Sequence, residues 1–131
     1  MNERILAVDD SFSVRKLLEY ALKARGYEVI TAADGQEALE KLTAGAFDLV
    51  ILDINMPRMD GFTFLRKVKL DLKKRDLPVL MLTTEGQPED KDRAIGLGAT
   101  AYVVKPFKPT ELVEAAEKVL NRSRSTAEAG S

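Results

Sequence analysis

Residues 47–53 read Phe47-Asp48-Leu49-Val50-Ile51-Leu52-Asp53. The nearly continuous apolar run within this stretch predicts a strand that is buried on both faces, as in a parallel sheet. Because Asp53 directly follows the buried run, we interpret it as a functional carboxylate and not as an ordinary loop acid. This one stretch therefore points to both the fold class and the candidate site.

Four other short runs are rich in apolar and β-branched residues, and helical patterns separate them. The predicted strands are 5–8, 27–31, 47–52, 79–83 and 101–104. Run 27–31 alternates in polarity and is expected at a sheet edge, whereas the other four are nearly continuous and are expected to be buried on both faces. Five βα units in series predict an open α/β sheet with right-handed crossovers.

The predicted helices carry start and stop signals. Asp34 with Glu37 resembles a capping box, and Gly26 suits the left-handed position after the first helix. Pro88 and Pro109 stand where they can occupy the first turns of the fourth and fifth helices.

The length of 131 residues suits one domain. We predict this domain over 1–121 and a disordered tail over 122–131, where the apolar pattern is lost. With a net charge of −1, the chain lacks the basic excess that nucleic acids or membrane surfaces attract. We expect a cytoplasmic monomer that binds neither.

The chain contains no cysteine and no histidine. The first absence excludes disulfides, thiolate metal sites and thiol nucleophiles. The second excludes imidazole ligands, phosphohistidine carriers and the most common general base. Any chemistry must therefore use carboxylates, hydroxyls, Lys, Arg or backbone amides.

Polar residues follow the predicted strands at their carboxyl ends. Asp9 and Asp10 follow the first strand, Asp53 the third and Lys105 the fifth, while Thr83 ends the fourth. Because ligands of open α/β sheets bind beyond these ends, we expect the five side chains to face one crevice.

Three carboxylates in one crevice repel each other unless a cation lies among them. Their oxygen atoms favour a hard ion, and Mg²⁺ is the natural choice. Lys105 can pair with Asp53 or with an added phosphoryl group, and Thr83 can donate a hydrogen bond to it. These parts suit phosphoryl transfer to Asp53 as the nucleophile. Taken alone, the Asp9-Asp10 pair could equally cap the first helix.

The motifs occur together and in register. They are Val8-Asp9-Asp10-Ser11, Leu52-Asp53-Ile54-Asn55-Met56-Pro57, Met59-Asp60-Gly61, Thr83-Thr84-Glu85 and Tyr102-Val103-Val104-Lys105-Pro106-Phe107. From about residue 3 to 121, the sequence resembles the receiver domain of two-component response regulators, and most closely single-domain chemotaxis regulators of the CheY type. The resemblance implies a doubly wound, flavodoxin-like (βα)5 fold with the parallel strand order 2-1-3-4-5.

The resemblance also implies a role for each site residue. Asp53 would be the phosphoacceptor, and Asp10 with Asp53 would bind Mg²⁺ directly while Asp9 acts mainly through water. Asn55 would add its backbone carbonyl to the metal site. Thr83 would be the switch hydroxyl and Lys105 the phosphoryl-binding lysine.

Three further implications concern the surroundings of that site. Tyr102 would move inward on activation. Asn55 and Glu85 would affect the lifetime of the phosphoryl group. The Lys105-Pro106 peptide bond would be cis.

The partners implied are a sensor histidine kinase and a downstream target protein, for which the flagellar motor switch is one candidate. The chain would be a phosphoacceptor that assists its own phosphorylation and dephosphorylation, and not an enzyme. Alternatives are a phosphorelay intermediate, the receiver part of a longer regulator with an effector domain, and an Mg²⁺-dependent aspartyl-phosphate hydrolase of the haloacid-dehalogenase type. A flavin-binding flavodoxin is disfavoured, because the acids after the first strand would repel a phosphate.

Overall fold

The computed structural model describes residues 3–56, 59–71, 74–84 and 88–129. Across these residues five strands and five helices alternate along the chain. The strands are β1 (Arg4–Val8), β2 (Glu28–Ala32), β3 (Leu49–Asp53), β4 (Val79–Thr84) and β5 (Ala101–Lys105). The helices are α1 (Phe12–Lys23), α2 (Gly35–Ala44), α3 (Gly61–Leu70), α4 (Pro88–Gly96) and α5 (Pro109–Ala129).

The strands form one parallel sheet in the order β2-β1-β3-β4-β5. Successive side chains of a strand point to opposite faces, and β3 supplies both cores in this way. Leu49 and Ile51 pack with α1 and α5, while Val50 and Leu52 pack with α2 and α3. The predicted doubly wound fold and its strand order are confirmed.

The two edge strands differ from each other in burial. β2 lies at one edge, as its alternating pattern predicts. The prediction that β5 is buried on both faces is wrong, because β5 forms the other edge and Val104 is 39% exposed. Alternating polarity thus marks the edge position of β2, whereas the continuous apolar run of β5 gives no such signal.

The helix ends follow the sequence signals closely. Asp34 caps α2 by accepting a hydrogen bond from the Glu37 N–H at 2.8 Å. The Glu37 carboxylate reaches back to accept from the Ala33 N–H at 3.1 Å, which ties the first turn of α2 to the preceding chain. Gly26 has φ of +93°, and Pro88 begins α4.

Helix α5 differs from the predicted boundary at residue 121. It begins at Pro109 and continues to Ala129, so the backbone is helical where a disordered tail is predicted. Residues 122–129 contain no proline or glycine that would end the helix, and alanine and glutamate favour its continuation.

Among the described residues, no helix combines the length and apolar character that crossing a membrane requires.

Candidate functional site

Asp53 is the last residue of the central strand β3, and only 4% of it is exposed. Its burial follows from topology, because β3 has strands on both sides and helices on both faces. Strand-like pairing continues one residue further, where the Ile54 N–H donates to the Leu82 carbonyl at 3.2 Å. The carboxylate is therefore carried by the central strand of the sheet, at the point where its pairing with β4 still continues.

A glycine shapes the loop that follows Asp53. The Gly61 N–H donates to the Ile54 carbonyl at 2.8 Å, which folds the start of α3 back against the strand end. A Cβ at Gly61 would lie 2.6 Å from the Asp53 carbonyl oxygen and 2.8 Å from the Ile54 Cα. Because both neighbours are backbone atoms that cannot move aside, a side chain at position 61 would displace the acidic strand end.

Asp9 and Asp10 bring two more carboxylates to Asp53. One oxygen from each of the three residues lies within 4.8 Å of the other two. Asp9 is fully buried, whereas Asp10 is exposed. The strand-end argument thus correctly places the three acids together.

Lys105 reaches this cluster from β5, two strands away from β3. Its Nζ donates to Asp9 Oδ2 at 2.7 Å and lies 3.3 Å from Asp53 Oδ1. The peptide bond between Lys105 and Pro106 is cis. The ammonium therefore bridges two of the three carboxylates.

The electrostatics of the cluster leave Asp53 easier to protonate than an ordinary aspartate. Burial and the nearby Asp9 carboxylate raise the pKa of Asp53 from 3.8 to about 6, against the opposing effects of Lys105 and the Asn55 N–H. Burial lowers the pKa of Lys105, but its hydrogen bond to Asp9 and the carboxylate charges outweigh this, so its pKa is raised overall. Positive charge is thus in deficit within this crevice.

The remaining predicted residues surround the crevice. Thr83 is 3% exposed near the end of β4. Asn55 is exposed, and its backbone N–H acts on the Asp53 carboxylate. Tyr102 is half-buried against the core on the α2–α3 side, with the Lys91 Nζ 4.4 Å from its ring centroid. Glu85 lies outside the described residues.

Arg15 is a neighbour of the site that sequence reasoning does not identify. A guanidinium nitrogen donates to the Asp9 backbone carbonyl at 2.7 Å. Helical spacing places Arg15 one turn into α1, but only the folded loop shows that its side chain turns back to the strand end.

The donor set fits a hard divalent cation. Three carboxylates converge, and the sequence contains no cysteine or histidine that could supply a thiolate or imidazole ligand. One ammonium cannot neutralise three carboxylates, and after burial the Asp9 charge is the next cause of the raised pKa of Asp53. Asp9 already has both carboxylate oxygens in hydrogen bonds, to the Ser11 N–H and to Lys105, so Asp10 and Asp53 offer the more available ligand atoms.

Comparisons with known proteins agree with this geometry. The family model described as "Response regulator receiver domain" matches residues 5–117. Chemotaxis protein CheY4 of Vibrio cholerae has a similar solved structure, with a TM-score of 0.86 and 45% identity, covering 91% of this chain and 99% of that one.

Two curated relatives carry the names of transcriptional regulators. The probable transcriptional regulator ycf27 of Guillardia theta is 44% identical over 95% of this chain and 48% of its own length. The alkaline phosphatase synthesis transcriptional regulatory protein PhoP of Bacillus subtilis is 41% identical over 97% of this chain and 52% of its own length. The chain thus spans about half the length of these two relatives. The fold, the crevice and the family match lead to one conclusion: the chain belongs to the family of response regulator receiver domains.

Proposed function

We propose that this receiver domain accepts a phosphoryl group on Asp53 from a histidine kinase, with Mg²⁺ held by Asp10 and Asp53 and, through water, by Asp9. The observation that carries the proposal is the convergence of a buried strand-end carboxylate, an acidic pair and one ammonium in a single crevice. The backbone carbonyl of Asn55 would complete the protein's share of the metal ligands.

The transfer uses Asp53 as the nucleophile. One carboxylate oxygen attacks the phosphorus of a phosphohistidine, so that an O–P bond forms as the P–N bond breaks. The donor nitrogen keeps the bonding electron pair and takes a proton from solvent. With a pKa of about 6, Asp53 is mostly ionised at neutral pH and is competent to attack.

Charge neutralisation is the main task of the surrounding groups. Lys105 already lies 3.3 Å from Asp53 Oδ1, so its ammonium can follow the phosphoryl oxygens without a large movement. Bound Mg²⁺ would supply further positive charge for these oxygens. Thr83 would donate its hydroxyl proton to the same group, and Tyr102 would move into the space that Thr83 leaves.

An apolar groove beside Lys105 supports docking of the kinase at this end of the sheet. The groove has a volume of about 420 Å³, and Lys105 is one of its lining residues. Its lining residues are Val14, Leu17, Thr84, Lys105, Pro106 and Phe107. Apolar side chains of a partner would be desolvated there, on the side of the site that carries Lys105.

For the output, we propose that the phosphorylated domain binds a target protein in chemotaxis signalling. The similarity to CheY4 supports this, whereas the relatives named as transcriptional regulators support a transcriptional output nearly as strongly. Binding of the phosphorylated protein to a purified flagellar motor-switch protein, absent in Asp53→Asn, is the expected result for chemotaxis. Lack of binding would leave transcription as the favoured output.

The phosphorylation site is tested with radiolabelled acetyl phosphate and Mg²⁺. Wild-type protein should be labelled, and Asp53→Asn should not. Asp60→Asn is the matched control, because Asp60 is a nearby acid that caps α3 through the Thr63 N–H, and asparagine caps equally well. Labelling of Asp53→Asn at the wild-type rate would show that the acceptor is another residue. Turnover of phosphomonoesters would instead indicate the hydrolase alternative.

A further inference from the structure

Arg15 occupies a position where a helix normally disfavours a cation. It lies in the first turn of α1, after the N-cap Ser11, and that turn contains no acidic residue. The positive end of the helix dipole makes a cation here unfavourable, typically by about 0.3–1 kcal/mol. A basic residue in this turn therefore needs a compensating contact.

That contact is the backbone of the acidic loop. The Arg15 guanidinium turns back and donates to the Asp9 carbonyl oxygen at 2.7 Å. Arg15 is itself half-buried, which makes a hydrogen bond to the backbone worth more than it would be in open water. The side chain thus joins the first turn of α1 to the end of β1.

Each polar atom of Asp9 therefore has a hydrogen-bond partner. Its N–H donates to the Ala32 carbonyl at 3.2 Å, and its carboxylate oxygens accept from the Ser11 N–H at 2.9 Å and from Lys105 at 2.7 Å. Arg15 holds the fourth atom, the carbonyl oxygen. Since the peptide unit is planar, fixing this carbonyl also fixes the direction in which the chain enters Asp10.

Among the three acids, Asp10 is the one whose position depends most on this constraint. It is exposed, unlike Asp9 and Asp53, so packing does little to hold it in place. Yet its carboxylate oxygen lies within 4.8 Å of ligand atoms on both other acids. The orientation of the Asp9–Asp10 peptide is what keeps it there.

We propose that Arg15 is a positioning residue of the metal site, which acts by holding the Asp9 carbonyl and thereby directing the Asp10 carboxylate toward Asp53. This inference rests on the proposed function, because it assumes that the three acids bind Mg²⁺. This inference predicts the opposite of what electrostatic repulsion alone would predict for metal affinity. A cation near a divalent-ion site should weaken metal binding by repulsion, so its removal should tighten binding.

The experiment compares Mg²⁺ dissociation constants by calorimetry in Arg15→Met and Lys16→Met. Both variants remove one positive charge from the same helix turn, but Lys16 is exposed and pairs with Glu19 at 3.7 Å, away from the Asp9 carbonyl. We expect Arg15→Met to bind Mg²⁺ about 10-fold more weakly, as for the loss of an outer contact to a metal ligand. Lys16→Met should bind it as tightly as wild type, or more tightly.

Two further measurements separate positioning from a general loss of structure. In EDTA, the amide protons of Asp10 and Ser11 should exchange faster in Arg15→Met and at the wild-type rate in Lys16→Met. Arg15→Lys, which keeps an N–H donor and the charge, should recover part of the metal affinity.

The outcomes distinguish this inference from the proposed function. If Arg15→Met binds Mg²⁺ as tightly as wild type or more tightly, the positioning role is wrong while the metal site stands. If wild type itself fails to bind Mg²⁺, or if Asp10→Asn binds it unchanged, the proposed metal site is wrong as well.

Discussion

Helices α1 and α4 each follow a strand at the carboxyl edge of the sheet, but they are held to the sheet in different ways. Helix α1 is capped by Ser11 and buries Leu18, Ala21 and Leu22 in one core. Of the α4 side chains that the structure describes, at residues 89–96, Ala94 is the buried one, and Ile95 is 46% exposed.

Two cations on α4 stack on aromatic rings of neighbouring elements. The Arg93 guanidinium lies 4.2 Å from the ring centroid of Phe62 on α3, and Lys91 lies 4.4 Å from that of Tyr102 on β5. A single contact of this kind is weak, and water can readily replace the aromatic ring as the partner of the cation. A structural change at Thr83 or Tyr102 should therefore move α4 at little cost, while α1 stays with the core.

The largest expected effect tests the core attachment of α1. Leu18→Ala removes a fully buried side chain and should lower the free energy of unfolding by about 2–5 kcal/mol. Ile95→Ala, the matched truncation on α4, should change it by less than about 1 kcal/mol, because Ile95 is already half in water. Urea unfolding of both variants measures the difference. Equal losses would show that α4 is as firmly packed as α1.

The next effect tests the electrostatic cost of burying the Asp53 carboxylate at the carboxyl edge of the sheet, where α1 and α4 both begin. The native pKa of Asp53 is raised from 3.8 to about 6, so its ionised form destabilises the fold above pH 6. This penalty is relieved as the pH falls through 6, and it disappears below 3.8, where the unfolded chain is protonated too. Asp53→Asn should therefore be more stable than wild type at pH 8 in EDTA.

The full shift corresponds to roughly 3 kcal/mol, and we expect about 1–2 kcal/mol because solvent at the mouth of the crevice screens the charges. Urea unfolding of Asp53→Asn and wild type between pH 8 and pH 4 measures this gain, which should shrink steadily as the pH falls. A gain that is independent of pH would mean that ionisation of Asp53 is not its origin. Saturating Mg²⁺ should reverse the order at pH 8, because only wild type keeps all three acids.

Most of the fold could be predicted from local patterns. Continuous apolar runs such as 49–52 can only be satisfied between two layers of helices, so their burial follows from composition alone. The exposure of Val104 could not be predicted from local patterns, because it depends on which strand lies at the edge of the sheet. The end of α5 could not either, because the apolar pattern is lost after residue 121 and neither proline nor glycine stands between there and Ala129.

The residues of the candidate site also divide into those that sequence patterns predict and those that they do not. Asp9, Asp53 and Lys105 could be placed together because the carboxyl ends of parallel strands meet at one edge. Arg15 and Gly61 were missed, since one acts through a backbone carbonyl and the other through the absence of a side chain. Neither leaves a signal in hydrophobic periodicity. Backbone contacts of this kind depend on the folded path of the chain.

The smallest effect bears most directly on the contrast between the helices. Arg93→Met removes a cation–π pair worth about 0.5–1 kcal/mol. Because few of the described α4 side chains are buried, the backbone amides of α4 should then exchange about two- to fivefold faster under native conditions. Lys16→Met is the comparison on α1, where the Lys16 Nζ lies 5.5 Å from the ring centroid of Phe12 within the same helix. Exchange in α1 should not change there, because its core residues dominate. If α1 loosened as much as α4, the two helices would be held by similar forces, and the preferential movement of α4 would lose its physical basis.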